Sequence, residues 1–192
     1  MSSAVTEAIA LLEIASLARG IACADAAVKR AQVELLLCEP VSPGKYLLLL
    51  GGGVAAVEEA LQAAEELAAD SKLDRLWLPQ VHPQILPALR AGASGLHAKS
   101  ELHEGASAGV IEASTVAAAI RAADASCKAA NVRLQMLHVA KGIGGKAWFV
   151  LRGDLPDVEA AIEAAQLTIG EGLLAGSEII ARPHPDLRGH AL

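Results

Sequence analysis

Aromatic side chains are nearly missing from this sequence. They make up 2% of its 192 residues, as two tryptophans, one tyrosine and one phenylalanine. Hydrophobic residues nevertheless reach 53%. Alanine and the aliphatic residues must therefore build the core, which implies thin helices packed close to their neighbours. The apolar surplus also points to an oligomer. Cysteine is scarce too. Cys23, Cys38 and Cys127 are odd in number, widely spaced and without a CxxC. That argues against a disulfide framework and fits buried thiols in a reducing cytosol. No run of lysine or arginine exists and the net charge is -6. This argues against a nucleic-acid partner and against binding to an anionic membrane surface. No apolar run approaches the ~20 residues of a membrane-spanning helix. Met1 to Glu7 carries no basic residue, so no secretory signal is expected there.

What the sequence has is a repeat. The stretch ADAAVKRAQVEL from Ala24 to Leu35 aligns with ADASCKAANVRL from Ala123 to Leu134, 99 positions on. Glu13 then matches Glu112. Past the next loop the offset becomes 101, so Lys45 matches Lys146, Gly52 matches Gly153 and Val57-Glu58 match Val158-Glu159. At the end of each copy His82-Pro83 matches His184-Pro185, 102 positions apart. Drift of this size belongs in loops.

Each copy carries the same succession of patterns. In the first, Ala8–Ile14 has strand length and Leu17–Arg30 has helical periodicity. Val33–Pro40 and Lys45–Leu50 are strands around a Pro-Gly turn. Gly51-Gly52-Gly53 opens a helix to about Ala69 whose apolar stripe is Val54, Val57, Leu61, Ala64 and Ala68. Leu73–Leu78 is a fourth strand, and Pro83–Arg90 a short extra helix. The second copy reads as Gly109–Ala113, Thr115–Ala129, Val132–Val139, Lys146–Leu151, Leu155–Ile169 and Ser177–Ala181, with Asp154 as an N-cap. The order β-α-β-β-α-β predicts an α+β chain of two tandem ferredoxin-like domains, each a four-stranded antiparallel sheet with helices on one face. The expected domains are residues 1–92 and 107–192, joined by a glycine-bearing linker at 93–106.

Those two stretches, the glycine loops SPGKYLLLLGG and GIGGK, and the closing ARPHP together resemble the bacterial microcompartment shell domain. Two such domains in unpermuted order are similar to the tandem, trimer-forming shell proteins, above all that of propanediol utilisation. The resemblance implies a homotrimer that forms a pseudohexagonal disc. Such discs tile with hexameric and pentameric shell proteins around enzymes in the cytoplasm. It implies that Ser42, Pro43, Gly44, Ile143, Gly144 and Gly145 line a central pore for metabolites or cofactors, and that Lys29, Lys128 and Arg182 meet neighbouring discs. The first copy has Gln80 at the place of Arg182. The propanediol-utilisation relative holds an iron–sulfur cluster through a pore-loop cysteine, and here Ser42 stands in that position. A hydroxyl is a poor ligand for such a cluster, so no cofactor and no metal is expected.

Plainer readings stand beside these. The two loops also read as ordinary hairpin turns. Lys45 and Lys146 read as solvated strand starts, or as six positive charges near the channel. Gly51-Gly52-Gly53 is neither GxGxxG nor a P-loop, and so does not specify a phosphate site. His82 and His184 read as structural histidines or, with further ligands, as a metal pair. Trp77 and Trp148 read as core or interface anchors. No nucleophile, base and acid set is evident, so no catalytic residue is expected. The alternatives to a shell tile are an electron-transfer tile with a pore metal cluster and a small-molecule-binding ferredoxin-like regulator.

Overall fold

The computed structural model describes residues 7–91 and 106–187. Its elements run β1 (Ala8–Ile14), α1 (Leu17–Arg30), β2 (Glu34–Val41), β3 (Lys45–Gly52), α2 (Val54–Ala68) and β4 (Lys72–Leu78), then α3 (Ile85–Ala91). They continue as β5 (Ser107–Ala113), α4 (Val116–Ala129), β6 (Arg133–Val139), β7 (Ala147–Gly153), α5 (Leu155–Thr168) and β8 (Leu174–Ile180). The chain divides into compact units at 1–81 and 82–192. Helix α3, which from sequence reads with the first copy, therefore lies in the second unit. The expected linker at 93–106 lies outside the described residues, apart from Ala106.

Both units hold the expected sheet, in the orders β2-β3-β1-β4 and β6-β7-β5-β8, with every neighbour antiparallel. The duplication extends to the irregularities. Register shifts fall at Leu35/Leu37 and Leu134/Met136, and again at Glu13/Ile14 and Glu112/Ala113. A bulge twists a strand and re-aims its side chains, so its repetition marks a constrained feature. Ser16 and Thr115, also equivalent, cap α1 and α4 by accepting from the Arg19 and Ala118 backbone N–H groups at 3.3 and 3.2 Å. Asp154 takes the N-cap position of α5, although its side chain makes no cap hydrogen bond. Strand β8 begins at Leu174, earlier than the sequence suggests. Its Leu174-Ala175-Gly176 segment has a loop-like composition, and pairing with β5 overrides it.

The scarcity of aromatics is visible in the packing. In unit 1, alternate residues of β1 and β3 face Cys23, Ala24 and Ala27 of α1 and Val57, Ala60, Leu61 and Ala64 of α2. Two size exchanges keep the repeated layers at matching depth. A Cβ on Gly20 would fall on the ring of Tyr46, whereas the second copy has Ala119 and Ala147 at those places. Conversely a Cβ on Gly109 would come within 2.8 Å of Ile162 and 3.0 Å of Val158, where the first copy has Ala10 and Leu61 in one core cluster.

Gly20→Ala is expected to cost about 1–3 kcal/mol by overpacking, and far less in a Tyr46→Ala background. Urea unfolding of the four chains measures that coupling. Equal costs in both backgrounds would show that the ring is not the obstacle.

Candidate functional site

Each unit carries one hairpin between its second and third strands, and the six expected pore residues all lie there. In the first, Val41 pairs with Lys45 and the Gly44 N–H donates to the Val41 carbonyl at 2.9 Å. Ser42, Pro43 and Gly44 project into solvent, and the Ser42–Pro43 peptide is cis. The second hairpin is longer. The Ala140 N–H donates to the Lys146 carbonyl at 2.8 Å, and Lys146 N–H to the Ile143 carbonyl at 3.3 Å. Gly142, Gly144 and Gly145 have φ of 74°, 65° and 77°, the left-handed conformation that glycine tolerates at no steric cost. A Cβ on Gly44, Gly142 or Gly144 would meet nothing within 4 Å. Backbone conformation, not crowding, dictates glycine at these tips. Gly144 is exposed, Ile143 half-buried and Gly145 buried.

The lysines that close these loops are neither plain solvated strand starts nor cations aimed along the loops. Lys45 Nζ reaches Glu13 Oε2 at 2.8 Å, and Lys146 Nζ reaches Glu112 Oε1 at 2.9 Å. Both carboxylates stand at the bulge of the unit's central first strand. The environments differ. The Glu13 and Lys45 side chains are 0% and 15% exposed, against 42% and 47% for Glu112 and Lys146. The second loop has an added brace that sequence reading missed. His138 hydrogen-bonds to the Lys141 carbonyl at 2.6 Å and meets the Trp148 ring edge-on, with centroids 6.5 Å apart. Trp148 and Trp77 both pack half-buried against core clusters.

The expected edge lysines occupy the last turns of α1 and α4, where a cation complements the helix dipole. Lys29 pairs with Asp25 and Lys128 with Asp124, each at 2.6 Å. Arg182 is exposed just beyond β8, with φ of 53°. His82 and His184 serve local turns: each Nδ1 accepts from the backbone N–H two residues on, at 3.3 Å.

The residues present do not suit an iron–sulfur cluster at the first loop. Ser42 offers a hydroxyl, and Cys38, back on β2, has its sulfur 3.1 Å from the Tyr46 hydroxyl. Burial, with that contact, pushes the Tyr46 phenol up to about 12. Burial and then the Asp124 carboxylate push Cys127 up to about 12, and burial also raises Cys23, against a smaller lowering by Arg19. Both are poor thiolates. Among the described residues no three His, Cys, Asp or Glu side chains converge to hold a metal. One open cavity of about 240 Å³ lies at the start of α5, lined by Arg133, Arg152, Asp154 and Asp157 among others. It falls short of the roughly 300–1,000 Å³ of ordinary ligand pockets. Among the described residues no helix is long and apolar enough to cross a membrane.

The sequence matches the BMC domain over residues 8–81 and again over 107–183. It is 42% identical to the bacterial microcompartment shell protein PduT of Citrobacter freundii across 95% of this chain and 96% of that one. A shorter likeness, 41% over 86 residues, relates 43% of this chain to 86% of the carboxysome shell protein CsoS1A of Hydrogenovibrio crunogenus. Half of this chain thus corresponds to most of that protein. Among solved structures, a microcompartment protein from Desulfitobacterium hafniense superposes with a TM-score of 0.81, at 41% identity over 95% of this chain and 98% of that one.

The two loop lysines are expected to differ in weight. Lys45→Met strands a buried carboxylate and should cost about 3–5 kcal/mol. Lys146→Met removes an exposed pair and should cost about 0–1 kcal/mol. Denaturant titration of both variants measures the difference, and equal costs would refute the asymmetry.

Proposed function

The chain belongs to the BMC domain family, and on that premise we propose that three copies close into a pseudohexagonal tile with a central pore. As a tandem-domain member it is a structural shell protein of a bacterial microcompartment. Three chains of two domains give six wedges. The hairpin tips Ser42-Pro43-Gly44 and Ile143-Gly144-Gly145 alternate around the axis. Lys29, Lys128 and Arg182 lie at the rim and meet hexameric and pentameric shell proteins in the cytoplasm. The observation that carries this reading is the equivalence of the two units. Strand order, bulges, caps and lysine–glutamate pairs recur together, as six near-equal places in one ring require.

The lining of such a pore mixes polar and apolar groups. Its groups are a serine hydroxyl, backbone amides, glycine and the apolar Pro43 and Ile143; Lys45 and Lys146 are bound back to carboxylates, while Lys141 stands exposed in the second loop. This suits small polar metabolites, with Lys141 as the lysine within the second loop. The tile has no enzymatic role of its own; turnover belongs to the enzymes that the shell encloses.

The purified protein is expected as a particle of about 59 kDa, three times 19.6 kDa, that forms flat discs and sheets in electron micrographs. Lys29→Ala combined with Lys128→Ala should leave the trimer mass unchanged and reduce sheet formation. A stable monomer would refute the tile, and undiminished sheets would remove both lysines from the rim.

A further inference from the structure

One face is closed in the second unit and open in the first. In unit 2 the segment that begins at His82 seats on the α4–β6 surface. The His82 backbone N–H donates to Asp124 Oδ1 at 2.7 Å. The Gln84 side chain donates to the Val132 carbonyl at 2.9 Å and accepts from the Leu134 N–H at 2.8 Å. Ile85 is completely buried. Asp124, itself buried, holds Lys128 with its other oxygen. Val116, Ile120, Cys127 and Leu134 on this surface are buried as well.

The equivalent places in unit 1 lie open. Leu17, Ile21, Val28 and Leu35 are all exposed, and Asp25 holds Lys29 in the same way but at the surface. The matching plug exists at the end of the second copy. There the Leu187 N–H donates to the His184 carbonyl at 3.0 Å, as Ile85 does to His82, and the Asp186 N–H donates to His184 Nδ1 as Gln84 does to His82. The turn is formed, yet Leu187, the counterpart of Ile85, is 42% exposed, as is Leu35. Among the described residues the plug-like turn and the apolar places of unit 1 are thus each left exposed.

We propose that His184–Leu187 of one copy plugs the α1–β2 socket of a second copy, in the manner that His82–Ile85 occupies the α4–β6 surface. The His184 N–H then donates to Asp25, Leu187 fills the place of Ile85 beside Leu35 and Ile21, and Asp186 accepts from the Leu35 N–H. Charge has changed on both sides, and Asp186 of the free plug also stands where the seated one has Gln84. The open socket carries Glu34 where the filled one has Arg133, and the free plug carries Arg182 where the seated one has Gln80. The contact is heterologous, with plug and socket on different ends of the chain, and such contacts form a ring when the rotation between copies closes. It rests on the trimeric ring proposed above and supplies the side chains that close it. Asp25 then acts twice, since the carboxylate that receives the neighbour's plug is the one that fixes Lys29.

Leu187→Glu disables the plug and Leu35→Glu the socket, and both positions are exposed in the single chain, so folding should survive. Ile21→Glu, on the outer side of α1, is a second socket variant, and circular dichroism checks all three. By sedimentation, each variant alone is expected to shift the monomer–trimer midpoint by roughly ten- to a hundred-fold. An equimolar mixture of Leu187→Glu and Leu35→Glu chains should give dimers, because one intact plug and one intact socket remain. Folded variants that trimerise like the wild type, or a mixture that gives no dimer, would overturn the contact and leave the ring standing. A monomeric wild type would overturn both.

Discussion

A buried carboxylate on the central strand sets the terms for the first hairpin. Glu13 is sealed from solvent and Lys45 reaches it from the start of β3. A charge taken out of water without a partner is strongly destabilising. The hairpin can therefore not slide along its neighbour. A slip of one residue would carry Lys45 to the opposite face of the sheet and strand Glu13. The pair thus fixes the register of β3 against β1, and with it the position at which the chain leaves β2 and turns. Glycine and proline at the tip are free to serve the loop because the lysine behind them holds the frame.

The same frame occurs twice, and the departures between the copies are more informative than the agreement. Internal packing is conserved by exchange: Gly20 and Tyr46 fill the space that Ala119 and Ala147 fill in the second unit. Outward-facing positions show no such balance. Leu35 and Ile21 are exposed where Leu134 and Ile120 are buried. Random drift on a free surface tends to replace large apolar residues by polar ones, since nothing holds them there. A stripe that stays apolar while its counterpart is covered is the face on which the proposed second copy would dock.

Much of this was legible in the residues. The repeat, the strand and helix order and the two hairpins follow from periodicity and turn chemistry, because those are local properties. Three features were not. The start of β8 at Leu174 depends on pairing with β5, which no local preference encodes. The aim of Lys45 depends on Glu13, 32 residues away, and on a bulge invisible to alternation. The position of α3 in the second unit depends on Gln84, whose two hydrogen bonds to the start of β6 cross about 50 residues of sequence. His138 could have been suspected, since a histidine directly before a glycine-rich turn can brace it through a carbonyl.

The loop tips gain meaning from what stands behind them. With Lys45 turned back onto Glu13, Ser42 is left as the most distinctive polar group of the first hairpin. A thiolate there would add a fixed negative charge and a soft ligand; a serine hydroxyl adds neither, and can both donate and accept a hydrogen bond. In the ring proposed above, such groups would exchange hydrogen bonds with a passing solute at little net cost, which favours passage over retention. Retention would require converging charges or ligands. The chain places a paired lysine and glutamate at each loop base, where they hold geometry.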